Sequence, residues 1–477
     1  MKSKLTKLFK HRFQEDPVSI TALKAHGSDR KLFRIKSDRR SVIGAANEDR
    51  SENIAFLEFS RHFRKEGLNV PEIYAEDLDN GIYLEEDLGD LTLFDALQKE
   101  RKGSKEFPAS IITAYEKVVT ELPKFQIDAG KSLDYGLCYP RHSFDRQSMM
   151  WDLNYFKYYF LKLAKIPFNE QKLEDDFIKF TDFLLQPEPD YFLYRDFQSR
   201  NIMLRRDEPW FIDYQGGRHG ALQYDIASLL FDAKADIPFA VRDRLLDTYL
   251  KELTQYIEFD GAQFLQFYYG YVLVRIMQAM GAYGFRGFYE RKTHFLQSVP
   301  YAIRNLEFVL RTAKIPTELP TLFDVLRQLV RSTRLRELGN VKLLLTVRIQ
   351  SFSYKKGLPR DETGHGGGFI FDCRSLPNPG RQERFKNLTG NDAAVIAFLA
   401  EKEEVHSFLT RVRDLLSQVI ENYRQRNFSD LSVAFGCTGG QHRSVYCANT
   451  IAKYLREKYK INIEVTHREL QIIKVAG

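Results

Sequence analysis

The sequence predicts an α+β chain in two parts. A small β-rich lobe over about residues 1–90 continues into a helical lobe ending near 330, and a compact α/β domain follows over 340–477. Three observations predict it. Short extended runs broken by turn residues fill the first ninety residues, helical periodicity dominates from Leu91 to about Leu310, and strands alternate with helices after Val341. At 477 residues the chain is too long for one ordinary core. With 43% hydrophobic and 28% charged residues, it is neither mainly disordered nor fibrous. No apolar run approaches the ~18 residues that span a bilayer, so no membrane insertion is expected. Cys138, Cys373, Cys437 and Cys447 are scattered without CxxC spacing and suggest neither a disulfide framework nor zinc. A reducing, cytoplasmic location is expected.

The elements follow in order. The basic segment MKSKLTKLFKHRFQ lacks an apolar h-region and reads as a first helix. Leu23–His26, the turn Gly27-Ser28-Asp29-Arg30 and Leu32–Ile35 read as strand, turn and strand, with glycine where φ > 0 is needed. Ile54, Leu57, Glu58 and Phe63 mark a helix that stops near Gly67. Val70–Tyr74 and Gly81–Leu84 read as the next strands, and a short β-like patch over Tyr191–Asp213 interrupts the helical lobe. Ile315-Pro316-Thr317-Glu318-Leu319-Pro320 marks a boundary, followed by a basic helix over 322–338. Strands are expected from Val341, over Leu431–Phe435 and over Ile461–Val465, separated by helices over 405–423 and ending at Tyr459.

The chemistry concentrates in Tyr194-Arg195-Asp196-Phe197-Gln198-Ser199-Arg200-Asn201 and Ile212-Asp213. Phosphoryl transfer from ATP needs a carboxylate that orients an attacking hydroxyl and oxygen ligands that hold Mg²⁺ on the phosphates. Asp-x4-Asn on one tight loop, with a further Asp at the end of the next apolar strand, has the spacing of a kinase catalytic loop and its metal-binding aspartate. Tyr194 stands where histidine is usual. The strand Ser41-Val42-Ile43-Gly44-Ala45 lacks the lysine that most kinases aim at the phosphates; Arg30, Arg34 and Lys36 are the candidate replacements.

On these residues, together with Gly67–Ile73, Leu84–Asp90 and Tyr224-Asp225-Ile226-Ala227, the first ~330 residues resemble the aminoglycoside phosphotransferase/choline kinase family of two-lobed, protein-kinase-like folds. Within it they look most like the AmgK-like branch of cell-wall sugar kinases. The resemblance implies Asp196 as catalytic base and Asn201 and Asp213 as Mg²⁺ ligands. It also implies a phosphate-covering turn at Gly27, Ser28, Asp29 and Arg30, and an adenine-side hinge at Glu85, Glu86, Asp87 and Leu88. Arg275 and Arg286, among the aromatic residues Tyr283, Phe285, Phe288 and Tyr289, are the candidate acceptor-binding pair, since arginine binds carboxylates and aromatic faces stack on sugars.

Charge singles out the last part. Residues 340–477 carry 21 Lys/Arg against 14 Asp/Glu, the whole of the chain's net +7, which points to an anionic partner. Phe435-Gly436-Cys437-Thr438-Gly439-Gly440-Gln441-His442-Arg443-Ser444 runs from a strand through glycines into a helix, an arrangement suited to an anion. The same run is a Cys-x5-Arg, so a cysteine phosphatase is an alternative. With Ser351–Pro359, Phe371–Pro379, Leu388–Asp392 and His467-Arg468, it resembles the RapZ C-terminal domain family of RNA-binding, phosphosugar-sensing adaptors. That resemblance implies a phosphosugar pocket of Thr438, Gly439, Gly440, His442, Arg443 and Ser444. Gly380 replaces a ligand-contacting histidine, and His365 in the glycine-rich insertion is a candidate substitute. The expectation is an ATP- and Mg²⁺-dependent kinase for a hydroxyl of an amino sugar or cell-wall sugar, with a hexosamine-phosphate effector and RNA as a further partner. The alternative is an RNA-binding regulatory adaptor with a catalytically weak kinase-like part.

Overall fold

The computed structural model describes residues 1–23, 30–101, 106–338, 345–359, 368–425, 428 and 430–470. The expected turn residues Gly27, Ser28 and Asp29, and His365, lie outside them. Two compact units, Met1–Leu326 and Arg327–Gly477, make up the chain.

The first unit opens with helix α1 (Lys2–Phe13) and a five-stranded antiparallel sheet, order β1-β2-β3-β5-β4. The strands are β1 (Ser19–Ala22), β2 (Lys31–Lys36), β3 (Ser41–Ala46), β4 (Ile73–Asp77) and β5 (Ile82–Glu86). Of the expected Leu23–His26 strand, Lys24, Ala25 and His26 lie outside the described residues. Strand β4 starts at Ile73 rather than Val70, and Pro71 accounts for the shift, because it has no N–H to give to a ladder.

Side-chain alternation decides what the sheet offers on each face. Phe33, Ile35, Val42, Ala46, Ile82 and Leu84 form one core with Leu5 and Phe9 of α1. Helix α1 lies so close that a methyl added at Gly44 would stand 2.8 Å from Ile35 Cδ1 and 3.0 Å from Leu5 Cδ2. The opposite parity is Ile43 and Ala45 on β3, in register with Glu85 and Tyr83 of β5, and it faces away from α1.

Helix α2 (Arg50–Lys65) is capped by Asp49, whose side chain accepts from the N–H groups of Ser51 and Glu52. It closes before Gly67, at φ +79°, as the glycine stop predicts. Its inner face joins the lobe to the residues beside Asp213. Phe56 stacks on Tyr214 with ring centroids 5.3 Å apart, and the Ser60 and Tyr214 hydroxyls lie 2.6 Å apart.

Within the helical lobe the β-like patch holds β6 (Tyr191–Leu193) and the antiparallel pair β7 (Ile202–Arg205) with β8 (Glu208–Phe211); β6 pairs antiparallel with β9 (Arg218–Gly220), which lies beyond the expected patch. The helix Gly261–Gly284 is buried on most of its circumference and runs through the lobe's core.

The second unit is an α/β layer with four parallel strands: β10 (Thr346–Ser353), β11 (Phe369–Asp372), β12 (Asp430–Cys437) and β13 (Asn462–His467), order β11-β12-β10-β13. Helices Ala393–Ala400, Glu403–Gln425 and Arg443–Lys458 pack with the sheet around a core that includes Val347, Ile349, Val433, Phe435, Leu416 and Ile451. All strands run one way, so the loops after Ser353, Asp372, Cys437 and His467 collect at one edge, where α/β sheets of this kind bind ligands. Among the described residues, no helix is long and apolar enough to cross a membrane.

Candidate active site

The site is built on the loop between β6 and β7. Asp225, fully buried in the helix Gln223–Leu230, accepts the backbone N–H groups of Tyr194 at 2.8 Å and Arg195 at 3.1 Å. Burial pushes its carboxyl up to about 7, against the pull of these donors. Arg195 sits at φ 79°, in the left-handed region that side chains disfavour. Its guanidinium is held by both carboxylate oxygens of Asp152, at 2.9 and 2.8 Å, and by the Tyr224 hydroxyl at 2.6 Å. The Tyr194 hydroxyl donates to the Ile212 carbonyl at 2.7 Å, so the residue that replaces histidine ties the loop to the strand leading to Asp213.

This scaffold brings Asp196, Asn201 and Asp213 together, as their spacing predicts. The Asn201 amide donates to the Asp196 carbonyl at 2.9 Å and to Asp213 Oδ2 at 3.1 Å. Asp213, at φ 71°, also accepts from Gln215 Nε2 at 2.8 Å. Burial and then the charge of Asp196 hold its carboxyl above the ordinary range. Two carboxylates and an amide crowded in a half-buried cleft form a hard oxygen set suited to a divalent cation of the Mg²⁺ kind. Among the described residues, no three His, Cys, Asp or Glu side chains gather as a metal site, so such an ion would draw further oxygens from a nucleotide or water. Gly216 stands beside Asp196: a β-carbon there would lie 3.7 Å from Arg195 Cγ and 4.0 Å from Asp196 Oδ2, in ordinary contact with both.

The cleft's other wall comes from the sheet. Arg30, directly before β2, pairs with Glu52 of α2 at 2.8 Å and lies over the Phe56 ring at 5.2 Å. Glu52 also accepts from Asn47 at 2.9 Å and from Gln215 at 3.3 Å. Glu52, Gln215 and Asp152 were missed by sequence reasoning. The one available signal was Asp49-x-x-Glu52, a capping-box spacing in which glutamate reaches back to the N-cap; here Glu52 turns to Arg30 instead.

The hinge residues part ways. Glu85 points into the cleft, where burial pushes its carboxyl up to about 7, opposed by Arg30 and reinforced by Asp213 and Asp87. Glu86, next on the strand, takes the other face and binds Arg205 at 2.5 Å and the Glu72 N–H at 3.3 Å, so its side chain is withdrawn from the cleft. Asp87 is gripped by Arg34 through two bonds of 2.8 and 2.9 Å, and it also accepts from the Ser41 hydroxyl and the Gly89 N–H. Leu88 is buried behind it. Of the four, Glu85 offers its side chain to the cleft, while Asp87 ties the segment after β5 to Arg34 of β2 and Ser41 of β3.

The acceptor pair is not assembled as expected. Arg275 is buried in the helix Gly261–Gly284, where it donates to Ser228 Oγ at 2.9 Å and to Gln278. Arg286 lies about 16 Å further along the chain's helical path, over the Phe295 ring at 5.2 Å. Helical periodicity alone could not show that Arg275 was committed to the core.

In the second unit, Thr438, Gly439 and Gly440 line the turn between β12 and the helix Arg443–Lys458, whose N-terminus at His442 has no side-chain cap bond. The Thr438 carbonyl accepts from Ser353 Oγ at 2.7 Å. Gly440, at φ +70°, approaches the end of β10, so a β-carbon there would meet Ser353 N at 2.8 Å; Gly439 faces open space. The His442 ring nitrogen Nε2 binds the Phe385 carbonyl at 2.9 Å, and a β-carbon on Gly380 would lie 3.4 Å from its Cε1. Arg443, expected as a phosphate clamp, gives Nη1 to the carbonyls of Arg374 at 2.9 Å and Leu376 at 3.0 Å. Ser444 is buried and pairs with Cys437 Sγ at 3.2 Å. With the thiol 3% exposed and the arginine turned to carbonyls, the phosphatase alternative is dropped.

Glu85 supplies a pH test. Its ordinary value of 4.5 rises to about 7, so its contribution to stability is full below 4.5 and lost as pH rises through about 7. Glu85→Gln abolishes that loss. The variant's melting temperature should gain steadily on the native chain between about pH 5 and about pH 8; a constant difference would contradict this.

Comparison with known proteins adds two matches. A family model described as the RapZ C-terminal domain matches residues 345–471. RNase adapter protein RapZ of Yersinia pseudotuberculosis serotype O:1b (strain IP 31758) is 40% identical over 144 residues, which is 30% of this chain and 49% of the relative; that of Serratia proteamaculans (strain 568) gives the same figures. The chain thus spans about half the length of the curated relatives it matches. Among solved structures, the amicoumacin kinase hAmiN in complex with AMP-PNP, Ca²⁺ and Ami is similar at TM-score 0.46 and 14% identity, over 67% of this chain and 96% of that one. The choline kinase LicA from Streptococcus pneumoniae is similar at 0.43 and 13%, over 65% and 99%. A family model described as the phosphotransferase enzyme family matches residues 19–265, more than half of the sequence, and the chain belongs to that family.

Proposed function

We propose that this chain is an ATP- and Mg²⁺-dependent kinase acting on a hydroxyl of an amino sugar or cell-wall sugar of the N-acetylglucosamine or N-acetylmuramate type. Residues 1–330 form the kinase domain, and 340–477 form a phosphosugar-binding domain that senses a hexosamine phosphate. The observation that carries this reading is the hydrogen-bonded set of Asp196, Asn201 and Asp213 on a loop anchored by Asp225. Asp196 accepts the proton of the acceptor hydroxyl as its oxygen bonds to the γ-phosphorus and the bond to the ADP oxygen breaks. Asn201 and Asp213 hold the divalent cation, which when bound supplies charge neutralisation at the phosphates. Family membership supports phosphotransfer; the sugar is read from the sequence resemblance. A cytoplasmic location, where ATP is available, accords with it.

ADP release should be measured over a panel of N-acetylglucosamine, N-acetylmuramate, glucosamine, other hexoses, choline and an aminoglycoside. One sugar should turn over, and Asp196→Asn should lower kcat by about 10²–10⁴-fold while the KM for ATP changes little. Turnover of choline or the aminoglycoside alone would replace the substrate assignment.

In the second unit the uncapped helix start and the glycine turn support an anion site. Gly439 faces open space, so Gly439→Val should leave melting unchanged yet weaken glucosamine-6-phosphate binding at least tenfold by calorimetry. Equal binding would place the phosphosugar elsewhere.

A second reading, an RNA-binding regulatory adaptor, is favoured by the +7 charge of residues 340–477 and by similarity to the adapter proteins. It predicts RNA affinity that falls steeply with salt, together with no turnover on any acceptor.

A further inference from the structure

Transfer from ATP calls for a cation at the nucleotide phosphates, and strand β3 does not carry one. Its positions facing away from α1 are Ser41, Ile43 and Ala45, none of which carries a charge. Three nearby cations could replace it, and the structure sorts them. Arg34 is spent on the hinge, with both carboxylate oxygens of Asp87, Asp90 at 2.8 Å and the Gly89 carbonyl at 3.1 Å as its partners. Lys36 is exposed at the far end of β2, in register with Ser41 at the start of β3. Arg30 precedes Lys31, which pairs with Ala46 at the other end of β3, and its side chain turns inward with 9% exposure.

We propose that Arg30 is the phosphate-binding cation of the nucleotide cleft, aimed by its ion pair with Glu52. This inference rests on the kinase reading and deepens it. The pair does not stand alone: Glu52 accepts from Gln215, which also donates to Asp213, so one chain of bonds fixes the cation relative to the metal-binding carboxylate. The Phe56 ring beneath the guanidinium limits its swing, and Phe56 is itself stacked on Tyr214, next to Asp213. Asp213, Glu52 and Glu85 all act on Arg30 and favour its charged form. A guanidinium also differs from an ammonium: its planar fork matches a phosphate through two parallel bonds, which a point charge does not. The fork compensates for attachment at the end of a neighbouring strand rather than within β3.

The test is binding to the full chain, with ATP and adenosine compared in Mg²⁺ by calorimetry. Arg30→Met should weaken ATP at least tenfold while adenosine affinity holds within about twofold, and Arg30→Lys should recover part of the loss. Lys36→Met should bind both like the native chain. Glu52→Gln, which frees the guanidinium without removing it, should weaken ATP less than Arg30→Met does. ATP affinity unchanged in Arg30→Met overturns the assignment. Equal weakening of ATP and adenosine also overturns it, because the residue then only supports the cleft. No binding of either nucleotide by the native chain would instead remove the kinase reading on which the assignment stands.

Discussion

The first unit depends on one buried carboxylate. Asp225 receives the N–H groups of two consecutive residues, Tyr194 and Arg195, and so sets the path of the chain as it enters the loop that carries Asp196. A carboxyl buried to this depth costs stability unless donors converge on it, and here backbone and Gln126 donors do. The strained φ of Arg195 follows from the same anchor, and the Asp152 fork and Tyr224 hydroxyl hold it there. With those fixed, Asp196, Asn201 and Asp213 have little freedom left, and a loop of low intrinsic order becomes a rigid donor set.

From that anchor, order passes to the small lobe through side chains. Tyr214, next to Asp213, stacks on Phe56 and meets Ser60, both on α2, while Glu52 on the first turn of α2 joins Gln215 to Arg30. The sheet contributes by parity: α1 claims one face, and the other face presents Ile43, Ala45, Tyr83 and Glu85 to the cleft. Burial holds the carboxyls of Glu85 and Asp213 above their ordinary values, neighbouring carboxylates add to the shift, and the one guanidinium they share, that of Arg30, opposes it.

How much of this was legible follows from where the information lies. Asp196, Asn201 and Asp213 are close in the chain, so spacing alone predicted that they meet in space, and they do. Most of the strands and helices of both units were legible for the same reason, since period-2 and period-3.6 patterns are local; the short β11 and the helix Ala393–Ala400 were not expected. Strand β4 began late because one proline outweighed its apolar neighbours. Arg30 and Glu52 lie 22 positions apart, and their pairing depends on which face of β3 α1 covers, a fact no local pattern contains. Arg275 looked available because helical spacing does not distinguish a ligand from a core residue that bonds Ser228. Arg443 was placed correctly at a helix start, but the carbonyls of Arg374 and Leu376, which claim it, come from the loop after β11.

The second unit repeats the lesson in a parallel sheet, where Gly440 lets the turn after β12 approach β10, Gly439 faces open space and the helix that follows lacks a side-chain cap. The central claim, however, is the metal–nucleotide centre on the Asp225-anchored loop. Its most direct test is electron paramagnetic resonance of Mn²⁺ titrated into the full chain with and without ATP. The account predicts a protein-bound Mn²⁺ signal that requires ATP and is lost in Asp213→Ala. Mn²⁺ bound equally without ATP, or unchanged in that variant, would contradict it.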